Sequence, residues 1–439
     1  MPTQNVPPAS PDEPVTGAGF QALAAPLIGS ARFAVAVSGG ADSVALMCLA
    51  ADWCRSVGRG LPLAITVDHG LREGSAREAS QVERWAQDLG LVHLTLAWEG
   101  RTHQGNLQAE ARRARYALLA DALSRHDVSL LATGHTRDDQ AETLLIRLAR
   151  GSGLAGLSGM SPRAPYPGRR LHDMSLVRPL LDIPHSRLVA TLRARGQPWV
   201  EDPSNANPKF LRARIRATLP SLAGLGLTAD RLAATAGHLA RANAAIEGVV
   251  AELAARVLQT DPCGYVLMET RDLRAAPDEA VLRLVARVLK TVSGEAYAPR
   301  FDRLAALADW LRAPPAGSGR TLGGCRLACR ADGSVLVARE EDAMRRAGHV
   351  LRLRPGGSGV WDGRFSVAIP AGAPDTEYEV KALGPEGVRA LDDKAVLPRH
   401  EPRRVAATCP SVWRSGTLLA APTLGHDVGI GARAAFLGA

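Results

Sequence analysis

Ser38-Gly39-Gly40-Ala41-Asp42-Ser43 lies between an apolar run, Phe33-Ala34-Val35-Ala36-Val37, and the start of a helical pattern, Val44-Ala45-Leu46-Met47. A strand that enters a helix through a glycine turn leaves backbone N–H groups and the helix N-terminus facing outward. Glycines without a Cβ let a phosphate come close to them. The segment predicts a phosphate cradle at the carboxyl end of a strand, with Ser38, Gly39, Gly40, Ala41, Asp42 and Ser43 as its residues. It is not a Walker A loop, which needs a lysine that is absent here. With no lysine over the β- and γ-phosphates, the expected cut in ATP falls between α and β and releases pyrophosphate.

The flanking pattern sets the fold class. Strand patterns at 63–67, 93–96, 129–133 and 176–180 alternate with helical ones at 76–89, 107–123 and 137–148. Alternation of this length predicts an α/β domain, a parallel sheet with helices on both faces. Ligands of such sheets bind beyond the carboxyl ends of the strands. Asp68-His69-Gly70 and Gly134-His135 occupy such ends, as the glycine loop does. Three pieces of chain thereby converge on one crevice, and Asp68, His69 and Gly134 join the candidate nucleotide site.

The stretch Gly134-His135-Thr136-Arg137-Asp138-Asp139-Gln140-Ala141-Glu142-Thr143 opens a helix. Residues three and four apart share a helix face, so Asp138, Asp139 and Glu142 approach one another near its N-terminus. Complementing the helix dipole accounts for one or two acids. A histidine and three acids beside a phosphate loop point to chemistry: carboxylates there can hold Mg²⁺ or a cationic substrate. Arg147 follows, then a glycine-rich run from Arg150 to Met160, whose length and small residues suit a mobile, substrate-contacting loop.

At 439 residues the chain is too long for one ordinary core. Its net charge of +9 favours a polyanionic partner such as nucleic acid. The only lysines are Lys209, Lys290, Lys381 and Lys394, so a genome that prefers arginine codons explains the excess equally well. No apolar run is long enough to span a bilayer, so no membrane partner is expected. Residues 1–19 hold five prolines and no signal pattern, and are expected to be a disordered tail. Six scattered cysteines form no C-x-x-C and are expected as reduced thiols of a cytoplasmic protein. Composition shifts near Pro220. An alanine-rich helix at 228–257 places Leu232, Leu239, Ile246 and Leu253 seven apart as a packing face. Helices at 278–292 and 301–311 precede short β-like runs beyond Thr321. The expected division is a tail at 1–19, an α/β catalytic domain at 20–222, a helical domain at 223–340 and a small α+β module at 341–439.

Further motifs carry a resemblance. V-D-H-G-L-R at 67–72, N-x-x-x-x-A-R-x-x-R-Y at 106–116, R-G-S-G-L-A-G-L-S-G-M at 150–160, R-P-L-L at 178–181 and E-D-P-S-N at 201–205 join the two segments above. Together the chain resembles bacterial tRNA(Ile)-lysidine synthetases, of the PP-loop ATP pyrophosphatase superfamily. The motifs cover residues 33–220; the C-terminal half is similar only in faint patches. One departure is visible: where the family reads R-N-x-I-R, this chain has Arg212-Ala213-Arg214-Ile215-Arg216.

The resemblance implies ATP and Mg²⁺ as cofactors, and L-lysine and a tRNA(Ile) with a CAU anticodon as partners. The implied reaction adenylylates the wobble cytidine, C34, and lets lysine displace AMP, changing codon specificity from AUG to AUA. It implies Asp42 and Asp139 for the metal. Asp139 and Glu142, with His135 nearby, would bind the ammonium and take its proton, since an amine of ordinary pKa about 10.4 must be neutral to attack. Asp42, His135, Asp139 and Glu142 are thus the candidate catalytic residues. Arg112, Arg115, Asp138, Arg147, Arg150, Arg178, Arg212 and Arg216 are the candidate substrate and tRNA contacts, and the middle domain is the expected tRNA binder. From their pattern alone Arg112 and Arg115 could equally lie on an exposed helix face pairing with Glu110 or Asp121. Arg212 and Arg216 could form a plain basic face, and His69 could simply end a turn. A homodimer is left open. The rival readings are a PP-loop thiolation enzyme, which typically needs a cysteine pair absent here; a glutamine-using amide ligase, which needs an ammonia-producing domain; and a non-catalytic tRNA-binding protein, which would be expected to have lost acids that this chain retains.

Overall fold

The structure, a computed structural model, describes residues 13–68, 70, 74–98, 107–167, 174–201, 211–295, 297–392 and 403–438. Four strands alternate with helices as their sequence periods predict. They are β1 (Phe33–Ala36), β2 (Leu63–Asp68), β3 (His93–Ala97) and β4 (Leu130–Thr133). The helices before and between them are α1 (Gly17–Ile28), α2 (Ala41–Ser56), α3 (Ser75–Asp88) and α4 (Leu107–Arg125). After β4 come α5 (Arg137–Ala149), α6 (Leu154–Leu157), β5 (Arg163–Pro165), β6 (Ser175–Val177), α7 (His185–Ala194), α8 (Leu211–Gly224) and α9 (Ala229–Val257).

The sheet runs β3-β2-β1-β4-β6-β5, parallel throughout except for β5. Val35 sits at its centre, in register with Ala64 on one side and Ala132 on the other. One face packs on α2, where Leu46 and Met47 are fully buried; the other packs on α4 through Leu119 and Leu123. Burial of each such side chain contributes about 1.5–3 kcal/mol. The chain runs outward from β1 to β3, then returns to place β4 on β1's other side. The order therefore reverses between β1 and β4, and a crevice opens at their carboxyl ends.

Three expectations need correction. Residues 13–19 are not a disordered tail; residues 1–12 lie outside the described residues. Val15 is buried and its N–H donates to Thr191 Oγ1 at 2.8 Å. Thr16 caps α1 by accepting from Gly19 N–H at 3.0 Å. Phe20, Ala24 and Ile28 then form a buried stripe of period four, and Phe20 meets Trp53 edge-on at 6.2 Å. One cap and one stripe outweigh a proline-rich composition. The last parallel strand, β6, stops at Val177 and does not reach Leu180, since Pro179 has no N–H for a ladder. The domain expected to be helical at 223–340 carries a sheet that takes in the β-like run expected beyond Thr321 and also two strands before it, Leu258–Thr260 and Val266–Met268.

The chain forms two compact units, Met1–Asn243 and Ala244–Ala439. In the first, Leu232 and Ala236 of α9 pack on Ala141 and Leu144 of α5. The first unit therefore runs past residue 222. In the second, helices Asp278–Ser293 and Phe301–Arg312 bury one face with a five-stranded antiparallel sheet. Its strand order is Leu258–Thr260, Val266–Met268, Val335–Arg339, Cys325–Cys329, Gly319–Leu322. Two of these strands are three residues long, too short for a period-two signal. Further antiparallel sheets of five and three strands complete the C-terminal end. No described helix is long and apolar enough to cross a membrane. All six cysteines carry free thiols.

Candidate active site

The loop after β1 is built by its own side chains. Ser43 Oγ accepts from Ser38 N–H at 3.1 Å, lies 3.2 Å from Ser38 Oγ and donates to Gly40 O at 2.9 Å. Gly39 has φ +89, and its carbonyl accepts from Val200 N–H at 2.9 Å. Gly40 enters α2 in extended conformation with no side-chain cap. Among the described residues the Ala41 and Asp42 amides have neither an intrahelical nor a capping partner, which is the condition for receiving an anion, while Ser43 N–H donates to Gly40 O at 3.1 Å.

Gly134 joins this loop to the acids. A Cβ there would stand 2.8 Å from the carbonyl oxygen of Asp42 and 3.0 Å from Ser43 Cα. Only glycine lets the end of β4 touch the first turn of α2. Beyond it, Thr136 and Asp139 form a reciprocal capping box: Thr136 N–H donates to Asp139 Oδ2 at 2.9 Å, and Asp139 N–H donates to Thr136 Oγ1. Asp139 Oδ1 lies 3.5 Å from Arg212 Nη2. Both its oxygens are engaged, so the carboxylate expected to share a metal with Asp42 serves as a helix cap.

Glu142 is completely buried. Arg212 Nε donates to its Oε2 and Arg216 Nε to its Oε1, each at 2.7 Å. Two guanidiniums from α8, about half exposed, therefore hold a carboxylate that was expected to stand open for lysine.

The residue that the sequence reasoning missed is His185, first in α7. Its Nδ1 lies 2.7 Å from Asp42 Oδ1, and its N–H donates to Asp138 Oδ2 at 2.8 Å. The bond to Asp42 raises the imidazole pKa. Burial raises that of Asp42, with smaller contributions from Asp139 and Asp138 against the lowering effect of His185. The only local signal is a proline followed by a polar helix start; nothing ties position 185 to position 42.

Other expected residues fall into place differently. Arg147 Nη1 donates to Gly156 O at 2.6 Å and Gly159 O at 2.7 Å, and Gln140 exchanges two bonds with the backbone of Met160. The glycine-rich run expected to be mobile is tethered to α5, because its glycines let the backbone curl over two side chains. Gly159, at φ +69, has room for no Cβ beside Gln140 Oε1. Arg178 Nη1 donates to Ser161 O at 2.6 Å. His135 Nδ1 bonds Thr133 Oγ1 at 2.8 Å, and Asp68 Oδ1 accepts from Gly70 N–H at 2.9 Å. Arg115 and Arg150 lie exposed at the surface. His69 and the Arg112 side chain lie outside the described residues.

The comparisons agree with this architecture. Residues 16–222 match the family model of the PP-loop domain. A tRNA(Ile)-lysidine synthase of Ruegeria pomeroyi is 42% identical over 394 residues, spanning 90% of this chain and 89% of that protein. One from a Bradyrhizobium species is 42% identical over 78% of this chain and 97% of its own length. The chain belongs to the tRNA(Ile)-lysidine synthase family. It is an ATP-using ligase of tRNA modification. Among solved structures, the U34-tRNA thiolase NcsA of Methanococcus maripaludis covers 51% of this chain and 78% of its own, at 16% identity and a TM-score of 0.42, too distant to bear on the reaction. In the segment where the synthase family reads R-N-x-I-R this chain has Ala213, and Arg212 and Arg216 on either side of it both reach Glu142.

Proposed function

We propose that this chain joins L-lysine to C2 of the wobble cytidine C34 of a tRNA(Ile) with a CAU anticodon, giving lysidine and moving decoding from AUG to AUA. One observation carries the reading: the phosphate loop and the acid cluster are locked together, by Gly134 against Asp42 and by His185 bridging Asp42 and Asp138. The cytosine O2 attacks the α-phosphorus of ATP and the α–β bond breaks. Pyrophosphate leaves against the open amides of α2. The lysine ε-amine then attacks C2, AMP leaves with the oxygen, and the amine's proton passes to a carboxylate. Adenylylation converts a poor leaving group into a good one, splitting one hard step into two.

Asp139 and Glu142 remain the acids proposed for lysine, by exchange. The incoming ammonium takes the place of the Arg212 and Arg216 guanidiniums, so the buried Glu142 carboxylate is never unpaired. Stripping it of partners would cost about 3–5 kcal/mol. Asp42 and Asp138, each with one carboxylate oxygen that carries no hydrogen bond among the described residues, would hold Mg²⁺. When bound with ATP it supplies charge neutralisation on the phosphates. The thiolation reading finds no support at the cysteines nearest the loop: Cys48 and Cys54 are buried in α2, and burial pushes the Cys48 thiol up to about 11. Free thiols throughout accord with a cytoplasmic site of action. The regions 223–340 and 341–439 are proposed to grip the tRNA body, on the strength of the +9 charge.

The test is incubation with ATP, Mg²⁺, labelled lysine and a CAU-anticodon transcript, followed by nucleoside analysis. Labelled lysidine in step with AMP is expected. A transcript that takes up sulfur, or no lysine, overturns the reading.

A further inference from the structure

In the second unit, the connection between helices Asp278–Ser293 and Phe301–Arg312 borders a cavity of about 480 Å³. That volume is in the range of small-ligand pockets, and the cavity is half open to solvent. Lys290, Arg300 and Arg303 line it, with Glu295 as the one acid and Tyr297 at its edge. Tyr297 is 89% exposed and Phe301, next to Arg300, is 68% exposed; they are the only aromatics among the large exposed apolar side chains described.

Charge pairing sets these cations apart. Elsewhere on the same two helices Arg283 pairs with Glu247 and Glu279, Arg287 with Glu247, and Arg312 with Asp278. Among the described residues Lys290, Arg300 and Arg303 make no ion pair. The frame around them is closely packed at two glycines. Gly294 ends the first helix at φ +74, where a Cβ would stand 2.2 Å from Asp362 O. Pro299 fits so closely over Gly323 that a Cβ there would lie 2.9 Å from it. Glu295 N–H donates to Ser293 Oγ at 3.1 Å. Tyr297 thus stands exposed beside three cations that make no ion pair among the described residues.

We propose that this cavity binds an unpaired nucleotide of the tRNA, with its phosphate on Arg300, Arg303 and Lys290 and its base stacked on Tyr297. Cations that track a backbone, next to an aromatic face, are what single-stranded RNA recognition requires. The surplus of positive charge selects a polyanion, and the ring selects one that carries bases. The site rests on the tRNA-ligase reading and adds to it a contact remote in sequence from the phosphate loop.

The experiment measures binding of the CAU-anticodon transcript to the full chain across a salt series, with ATP affinity and melting temperature as controls. The double variant Arg300→Ala/Arg303→Ala is expected to lower the slope of log K against log salt by about 0.7, one phosphate contact's worth. Tyr297→Ala is expected to lose about tenfold in affinity at an unchanged slope, and Tyr297→Phe to retain the parent's affinity. An unpaired oligouridylate is expected to displace the transcript from the parent better than a polyglutamate of equal charge. If the parent binds the transcript and makes lysidine while these variants bind as it does, the site is wrong and the ligase reading stands. If polyglutamate competes as well as the oligonucleotide, the nucleotide assignment is wrong. If the parent fails to bind the transcript at all, the ligase reading and the site fall together.

Discussion

Glu142 and Asp362 are both carboxylates held between two arginines, one in each unit. Glu142 receives Arg212 and Arg216 at 2.7 Å; Asp362 receives Arg364 at 2.6 Å and Arg339 at 3.3 Å. The acids are equally hidden, but the arginines are not. Arg212 and Arg216 are 45% and 51% exposed, Arg339 and Arg364 3% and 0%. On α8 the guanidiniums can exchange the carboxylate for water at small cost. In the second unit they cannot: Arg339 is fixed in a strand, and Arg364 Nη1 is already buried without a partner. The same triad is therefore an exchangeable closure in one place and a fixed piece of core in the other. What separates them is whether solvent can substitute for the acid.

The largest effect should come from breaking the closed triad. Asp362→Ala leaves two buried guanidiniums uncompensated, costing about 3–5 kcal/mol. For a unit of this size that lowers melting by about 10 °C, which calorimetry would record, with ATP binding retained. Gly134→Ala tests the contact on which the open triad's site depends. The added methyl overpacks against Asp42 at a cost of about 1–3 kcal/mol and moves its carboxylate, so AMP formation should fall more steeply than stability. Glu142→Ala should cost less stability than Asp362→Ala, because its arginines can turn to water. Its lysidine formation should nevertheless drop about 100-fold, or about 2.7 kcal/mol of barrier, with ATP affinity unchanged. Equal melting losses in the two alanine variants would erase the distinction drawn here.

The smallest effect concerns pH. His185 gains Asp42 as a partner, and its folded pKa lies above the unfolded value near 6.5. Its stabilising contribution is therefore complete below about pH 6.5 and is lost as pH rises through the folded value. Asp42, also raised, acts in the same direction from its own lower value upward. Asp138 reinforces the histidine's charge and Arg216 opposes it. The melting gap between the parent and His185→Gln should be widest on the acid side of 6.5 and close toward alkaline pH. A gap that widens with rising pH would reverse the sign of the linkage.

Much of the first unit was legible in the sequence because its signals are local. Glycines, an apolar run and a helix start within a dozen residues specify the phosphate loop. The cap at Thr136 and the acids at 138, 139 and 142 lie on one turn and a half of helix. Other parts were illegible for physical reasons. In the second unit the strands Leu258–Thr260 and Val266–Met268 are too brief for a period to register, while β-like runs beyond Thr321 were read. The stripe at 232, 239, 246 and 253 announced packing but not that its first half packs on α5 while its second half joins another core. The exposed Tyr297 is indistinguishable in sequence from a buried one.

The sequence by itself determined the alternating sheet, the lysine-free cradle and the family, since each follows from hydrogen-bonding and hydrophobic period between near neighbours in the chain. Only the tertiary structure decided that His185 holds Asp42, that Gly134 must lack a side chain and that Glu142 is closed by Arg212 and Arg216. Those partners lie tens of residues or more apart along the chain. Their meeting depends on how helices settle on the sheet, a packing outcome that no local pattern encodes.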